Sequence, residues 1–338
     1  MSDGFRTSVK AWVADNLPEA LKGVDIGMYG PSSLEPEILE AFELWRRRLA
    51  EQGWGAPTWP EEYGGAGLAG AEAKIIGREI HAAGSMNPIP FLAGMGVTMV
   101  GPTLMEYGTE EQKTRHLPGM ASGAVRWCLG LSEPNAGSDL ASLATRAVQE
   151  GDHWILNGQK TWTSGADKSQ WCGALVRTDP DAAKRNGISF LMLPMDQTSI
   201  ETRPIRLIAG ESSFCETFFN GAQAGADDML GELNDGWSVI KRLLQHERAS
   251  QTSAPPTSNK VEPLQELARA VVRAGPSERF GLQHASKARI LVIERLDAPP
   301  SPMHLEPRIA VAHPTVLATF LRACGGGEPS AMRRRCHY

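Results

Sequence analysis

The chain has 338 residues, 41% of them hydrophobic and 22% charged, with a formal net charge of −5. This composition excludes general disorder, leaves room for two or three domains, and argues against nucleic acid as the main partner while allowing a local Arg/Lys cluster for a phosphate-bearing ligand. No apolar run reaches membrane-spanning length, charged residues stand at Asp3, Arg6, Lys10 and Asp15 where a signal peptide needs an apolar core, and the five scattered cysteines lack CxxC spacing, so the reading is of a cytoplasmic protein with reduced thiols and no metal site.

The first 123 residues carry a helical pattern. Leu39, Phe42, Trp45 and Leu49 recur at three- and four-residue steps, and Gly53 supplies a stop. Trp54 to Gly67 is too irregular for a helix or a strand. Its Trp54, Trp59 and Tyr63 need burial, so an ordered loop is expected. A weakly patterned helix covers Ala69 to Ala83, Asn87-Pro88-Ile89-Pro90 breaks the chain, and Phe91 to Leu104 reads as a buried helix despite its glycines. Thr109 and Gln112 have the spacing of a capping box, opening a helix that Pro118 closes.

From 124 to 235 the period shortens to that of strands. Trp127 to Ser132 is an apolar run ending in the turn residues Glu133-Pro134-Asn135-Ala136-Gly137-Ser138-Asp139. His153 to Leu156 and Gln159 to Ser164 flank Asn157-Gly158, the dipeptide best suited to a tight hairpin turn. Strict alternation would put Lys160, Trp162 and Ser164 on one face and Thr161 and Thr163 on the other. An indole and a hydroxyl pointing the same way suit a flat heteroaromatic ligand, although by themselves they are more simply read as an ordinary core Trp beside a turn Ser. Further strands are expected at Trp171 to Arg177, Ile188 to Met195 and Glu216 to Asn220.

After Asn234-Asp235-Gly236 the helical period returns. Ile240, Leu243 and Leu244 form a stripe on which Glu247 also falls. A carboxyl group on an apolar face loses solvation, which suits a general base; a Glu paired with Arg248 or at an exposed helix end fits the spacing too. Leu264 to Val272 has a further amphipathic pattern, and Lys287 to Leu296 is read as another helix. Six prolines from Pro299 onward exclude a long continuous helix there.

The motifs Gly130-Leu131-Ser132-Glu133-Pro134-Asn135-Ala136-Gly137-Ser138-Asp139 and Asn157-Gly158-Gln159-Lys160-Thr161-Trp162-Thr163-Ser164-Gly165-Ala166 together resemble the acyl-CoA dehydrogenase family. The resemblance extends upstream through Gly53 to Gly65 and downstream through His246-Glu247-Arg248, about three quarters of the chain. It implies a multi-domain α+β fold: an N-terminal helical domain (1–123), a central β-barrel (124–235) and a C-terminal helical bundle, here truncated or aberrant (236–298), followed by an irregular tail (299–338).

The same resemblance implies FAD as cofactor, an acyl-CoA substrate, an electron-transfer flavoprotein or similar acceptor, and assembly into homo- or hetero-oligomers. By motif, Leu131 and Ser132 match positions at the flavin pyrimidine, Ser138 one near substrate and cofactor, and Trp162 and Ser164 those beside the isoalloxazine ring. Glu247 matches one of the family's two locations for the proton-abstracting base. FAD is expected rather than a nicotinamide also because no Gly-x-Gly-x-x-Gly opens a helix after a strand. A non-catalytic subunit that assembles with a complete homologue is the competing expectation.

Overall fold

The computed structural model describes residues 2–24, 35–208, 210, 212–253, 280–285 and 290–295. Two compact units divide the chain, Met1–Ser253 and Ala254–Tyr338.

The first unit opens with α1 (Ser2–Asn16), α2 (Pro36–Glu51) and α3 (Gly70–Ala82). The stripe read from sequence is the buried face of α2, where Phe42, Trp45 and Leu49 are fully covered and pack with Val9, Val13, Ile76 and Ile80. Gly53 at φ 66° ends this helix in the left-handed region that disfavours side chains. The loop after it does bury Trp54, Trp59 and Tyr63. At the end of the loop, Gly65 and Gly67 with Gly70, the first residue of α3, have the spacing of a dinucleotide fingerprint. They follow the 3-10 turn Glu61–Tyr63 rather than a strand.

Two helical expectations need correction. Phe91 to Leu104 is not one helix: α4 (Ile89–Leu92) ends at Gly94, φ 63°, whose backbone bridges to Trp127, and a π-type turn (Gly96–Val100) then leads into α5 (Gly101–Tyr107). The sheet edge captures the glycine and breaks the helical run. Nor does Pro118 close α6 (Glu110–Ala121); the helix continues through it for another turn, with Leu117 and Met120 buried on either side. At the other end the capping box is present, since Thr109 Oγ1 accepts from Gln112 N (3.2 Å) and Gln112 Oε1 from Thr109 N (3.1 Å).

The strands are β1 (Trp127–Gly130), β2 (Arg146–Glu150), β3 (His153–Ser164), β4 (Trp171–Arg177), β5 (Ile188–Pro194), β6 (Ile200–Ile205), β7 (Phe214–Gly225) and β8 (Met229–Leu230). Their order is β6-β7-β3-β2-β4-β5-β8, with β1 parallel to β4. The path begins at β6 and ends at β8, so among the described residues the pairing gives a mixed sheet, and closure of the expected β-barrel is not shown.

Asn157-Gly158 is not a hairpin turn. β3 runs straight through it, and the turn falls at Gly151-Asp152 between β2 and β3. Packing overrides the local signal: a Cβ on Gly158 would lie 2.6 Å from Thr145 Oγ1, and Asn157 Oδ1 accepts from Gly221 N on β7 (2.9 Å). The glycine is there for close approach to the neighbouring chain.

α7 (Gly236–Ser253) packs on this sheet and on α5. Val239, Ile240 and Leu243 enter a core shared with Phe190 of β5 and with Met99 and Leu104. In the second unit the reading of Lys287 to Leu296 as a helix is overturned: β9 (Phe280–Ala285) and β10 (Ile290–Arg295) form an antiparallel pair. The run Ile290-Leu291-Val292-Ile293 is apolar and largely β-branched, which favours a strand. The amphipathic pattern at Leu264 to Val272 and the tail from Pro299 lie outside the described residues.

Candidate active site

A cavity of about 160 Å³ opens where the sheet meets the helices. Its sheet side is made by Leu129 in β1, by Leu131 and Ser132 just beyond it, and by Thr161, Trp162 and Ser164 in β3. Met95 and Met99, at and within the π-type turn, form an apolar side, and Glu247 enters from α7.

Trp162 and Ser164 line the same cavity, but strict alternation is not what brings them there. Lys160 pairs with Thr217 and Thr163 with Cys215, so Thr161 and Trp162 together oppose one residue of β7. This bulge changes the facing of the residues around it. Thr161 joins Trp162 and Ser164 at the cavity, while Lys160 and Thr163 are buried with no exposure. The expected grouping of Lys160 with Trp162 and Ser164 is therefore wrong, and Thr161 is a cavity residue the period-2 reading missed.

Trp162 combines two costs. Its φ is 60°, a region that bulky residues avoid, and its side chain is 57% exposed, with an edge contact to Phe214 (6.1 Å between ring centroids). An exposed indole beside hydroxyl-bearing residues and an apolar cavity fits a flat heteroaromatic ring.

Behind this face lies a charge pair that the sequence pattern did not signal. Lys160 Nζ donates to Glu133 Oε1 (2.8 Å) and to Leu131 O (3.1 Å). The Glu133 carboxylate, 8% exposed, also accepts from Ala144 N (2.7 Å) and Thr145 N (2.9 Å). Burial pushes the Glu133 carboxyl up, but the Lys160 ammonium and the donors from Thr145 and Ala144 outweigh it and hold the group below its ordinary range. For Lys160, burial pulls the amine down against the opposing pull of Glu133.

Ser138 is exposed on the loop beyond β1 and does not line the cavity. Glu247 does, half-buried at the end of the stripe that Ile240 and Leu243 anchor. One turn earlier on α7, Arg242 grips Glu106 of α5 through two bonds (2.5 and 2.7 Å), and His246 Nε2 lies 3.2 Å from the same carboxylate. Hydrogen bonding from Arg242 holds the Glu106 carboxyl below its ordinary range. Cys128, Cys172 and Cys215 are buried free thiols inside the sheet, away from the cavity lining. Among the described residues no cluster has the makings of a metal site, and no helix is long and apolar enough to cross a membrane.

Comparison with known proteins identifies the family. Residues 3–124 match the acyl-CoA dehydrogenase N-terminal domain and residues 128–222 the acyl-CoA dehydrogenase middle domain. The chain is 41% identical over 251 residues to acyl-CoA dehydrogenase IpdE1 of Mycobacterium tuberculosis, covering 73% of this chain and 63% of that protein. A solved structure described as the Tcur3481-Tcur3483 steroid ACAD matches at 34% identity and a TM-score of 0.60, over 81% of this chain and 67% of that one. The ChsE4-ChsE5 complex from M. tuberculosis matches at 31% identity and a TM-score of 0.57, over 81% and 67%. The chain belongs to the acyl-CoA dehydrogenase family, whose members are FAD-dependent oxidoreductases. It spans less than two thirds of the length of IpdE1.

Proposed function

We propose that the cleft binds FAD and that the chain catalyses α,β-dehydrogenation of an acyl-CoA thioester, with Glu247 as the base that takes the α proton. The observation that carries this reading is the meeting in one cavity of Leu131, Ser132, Trp162 and Ser164 from the sheet with Glu247 from α7. FAD, when bound, supplies the acceptor for the β-hydride that no side chain can provide. The exposed indole of Trp162 offers a face for the ring, and Leu131, Ser132 and Ser164 offer contacts at its edge. Ser138, outside the cavity lining, is available to the outer parts of cofactor or substrate.

The apolar walls, Met95, Met99 and Leu129, keep water from the reacting carbons, which strengthens the hydrogen bonds that acidify the α position. Glu247 then receives the proton on its carboxylate. An electron-transfer flavoprotein or similar acceptor is the redox partner that repeated turnover requires. Since one relative is described as a steroid ACAD, polycyclic acyl groups belong among the substrates to be tried.

A second reading makes the chain a non-catalytic subunit that assembles with a complete homologue. It is favoured by the ChsE4-ChsE5 relative, which is described as a complex. One experiment separates the two. The purified full chain, incubated with FAD, is expected to show flavin absorbance and to lose it on anaerobic addition of an acyl-CoA. Flavin retention only with a complete homologue present would select the second reading, and NAD binding without flavin binding would overturn both.

A further inference from the structure

We infer that the buried Lys160–Glu133 pair is a positioning device that fixes the backbone of Leu131 and Ser132 against the bulge in β3, and thereby shapes the sheet face of the cleft. The inference rests on the reading of that face as the cofactor side.

Three consecutive residues after β1 are tied to two consecutive residues of β3. Leu131 O accepts from Lys160 Nζ (3.1 Å), Ser132 O accepts from Thr161 N (2.9 Å), and Glu133 Oε1 accepts from Lys160 Nζ (2.8 Å). The next residue along β3 is Trp162, whose φ of 60° must be held by its surroundings. The tie therefore falls on both sides of the cleft face, and no other side chain donates to Leu131 O among the contacts described.

Stability alone does not explain charges at this place. Lys160 has no exposed surface and Glu133 is 8% exposed, so both ions have been taken out of water, a loss that an apolar pair of the same shape would avoid. What an apolar pair cannot do is donate to a backbone carbonyl that would otherwise be left without its partner. Lys160 does that, and Glu133 keeps its ammonium in place while accepting from the next loop segment, at Ala144 and Thr145. The geometry is that of a buried bracket: one long side chain crosses beneath the cleft, and its charge is compensated on the far side.

The test uses the full chain with Glu133→Gln and with Lys160→Met combined with Glu133→Gln, so that neither variant leaves an unpaired buried carboxylate. Amide hydrogen exchange at Thr161 reads the tie directly, with Trp154 and Leu156 in the same strand as controls; FAD affinity is read by fluorescence quenching. In the double variant the Thr161 amide is expected to exchange about tenfold faster or more, and FAD affinity to fall by about tenfold, the loss that goes with one charge-assisted hydrogen bond. The control amides and the melting temperature are expected to stay close to wild type. Wild-type exchange at Thr161 together with wild-type FAD affinity would overturn the inference. If the double variant does not fold, Glu133→Gln alone decides: faster exchange at Thr161 supports the bracket, unchanged exchange overturns it. If the wild type binds no FAD, the cofactor reading fails, and the exchange measurement still decides whether the pair positions this segment.

Discussion

The two sides of the cleft are held by different forces. The sheet side is fixed from within, by the Lys160–Glu133 pair with 0% and 8% exposure and by backbone bonds to the β3 bulge. The α7 side rests on Val239, Ile240 and Leu243, and at its outer edge on the Arg242–Glu106 pair, whose side chains are 42% and 37% exposed. A face locked by buried contacts keeps its shape across solution conditions; a helix oriented partly by surface charges is sensitive to salt and to what lies beside it. The proposed cofactor side is thus the rigid one, and the proposed base sits on the adjustable one.

Leu243→Ala should test the α7 side hardest. Leu243 has no exposure, so the truncation should cost about 2–5 kcal/mol of stability in denaturant titration. A cost under about 1 kcal/mol would mean that α7 is not docked on this core.

A pH titration sharpens the contrast from behind the sheet. His116 on α6 is edge-on to Trp127 of β1 and Trp171 of β4, and burial, helped by Arg115, pulls its imidazole down to about 4. The unfolded imidazole takes up its proton near the ordinary 6.5, so the unfolded state binds more protons between pH 6.5 and about 4. Stability present above pH 6.5 should be lost progressively toward pH 4, on the order of 3 kcal/mol in all. In His116→Phe this part of the pH dependence should vanish; an unchanged profile would show that another group is responsible.

Smaller effects are expected at the surface pair. Glu106→Gln should lower stability by about 0.2–1 kcal/mol, with the difference from wild type shrinking at high salt. A salt-independent difference would mean that this pair is effectively buried. Least of all should be the stability change for Trp162→Gly, within about 0.5 kcal/mol, because relief of the positive φ offsets the lost edge contact. Its FAD affinity should nevertheless fall, and a variant that binds FAD as wild type does would remove Trp162 from the site.

Where side-chain periodicity decides the structure, the sequence was readable. Trp171–Arg177 is a strand as read, Thr109 and Gln112 do form the cap, and the α7 stripe carries Glu247 to the cleft. It misled where tertiary contacts override a local preference. Asn157-Gly158 has the chemistry of a turn, yet Thr145 and Gly221 hold it in a strand. β2 escaped notice because Ala147 is its one buried residue, leaving almost no alternation to see. A bulge has no period of its own, so Thr161 was assigned to the wrong face, and nothing in the spacing of Lys160 and Glu133 marks them as a pair 27 residues apart.

The most direct test of the account is anaerobic stopped-flow reduction of the FAD-loaded chain by an acyl-CoA, comparing wild type with Glu247→Gln. Both proteins are expected to bind FAD equally, because the sheet side is intact in each. The substrate-dependent loss of flavin absorbance should be slower in the variant by a factor of about a hundred or more, the usual contribution of a positioned general base. Equal rates in the two proteins would contradict the assignment of Glu247, and with it the claim that α7 completes the site.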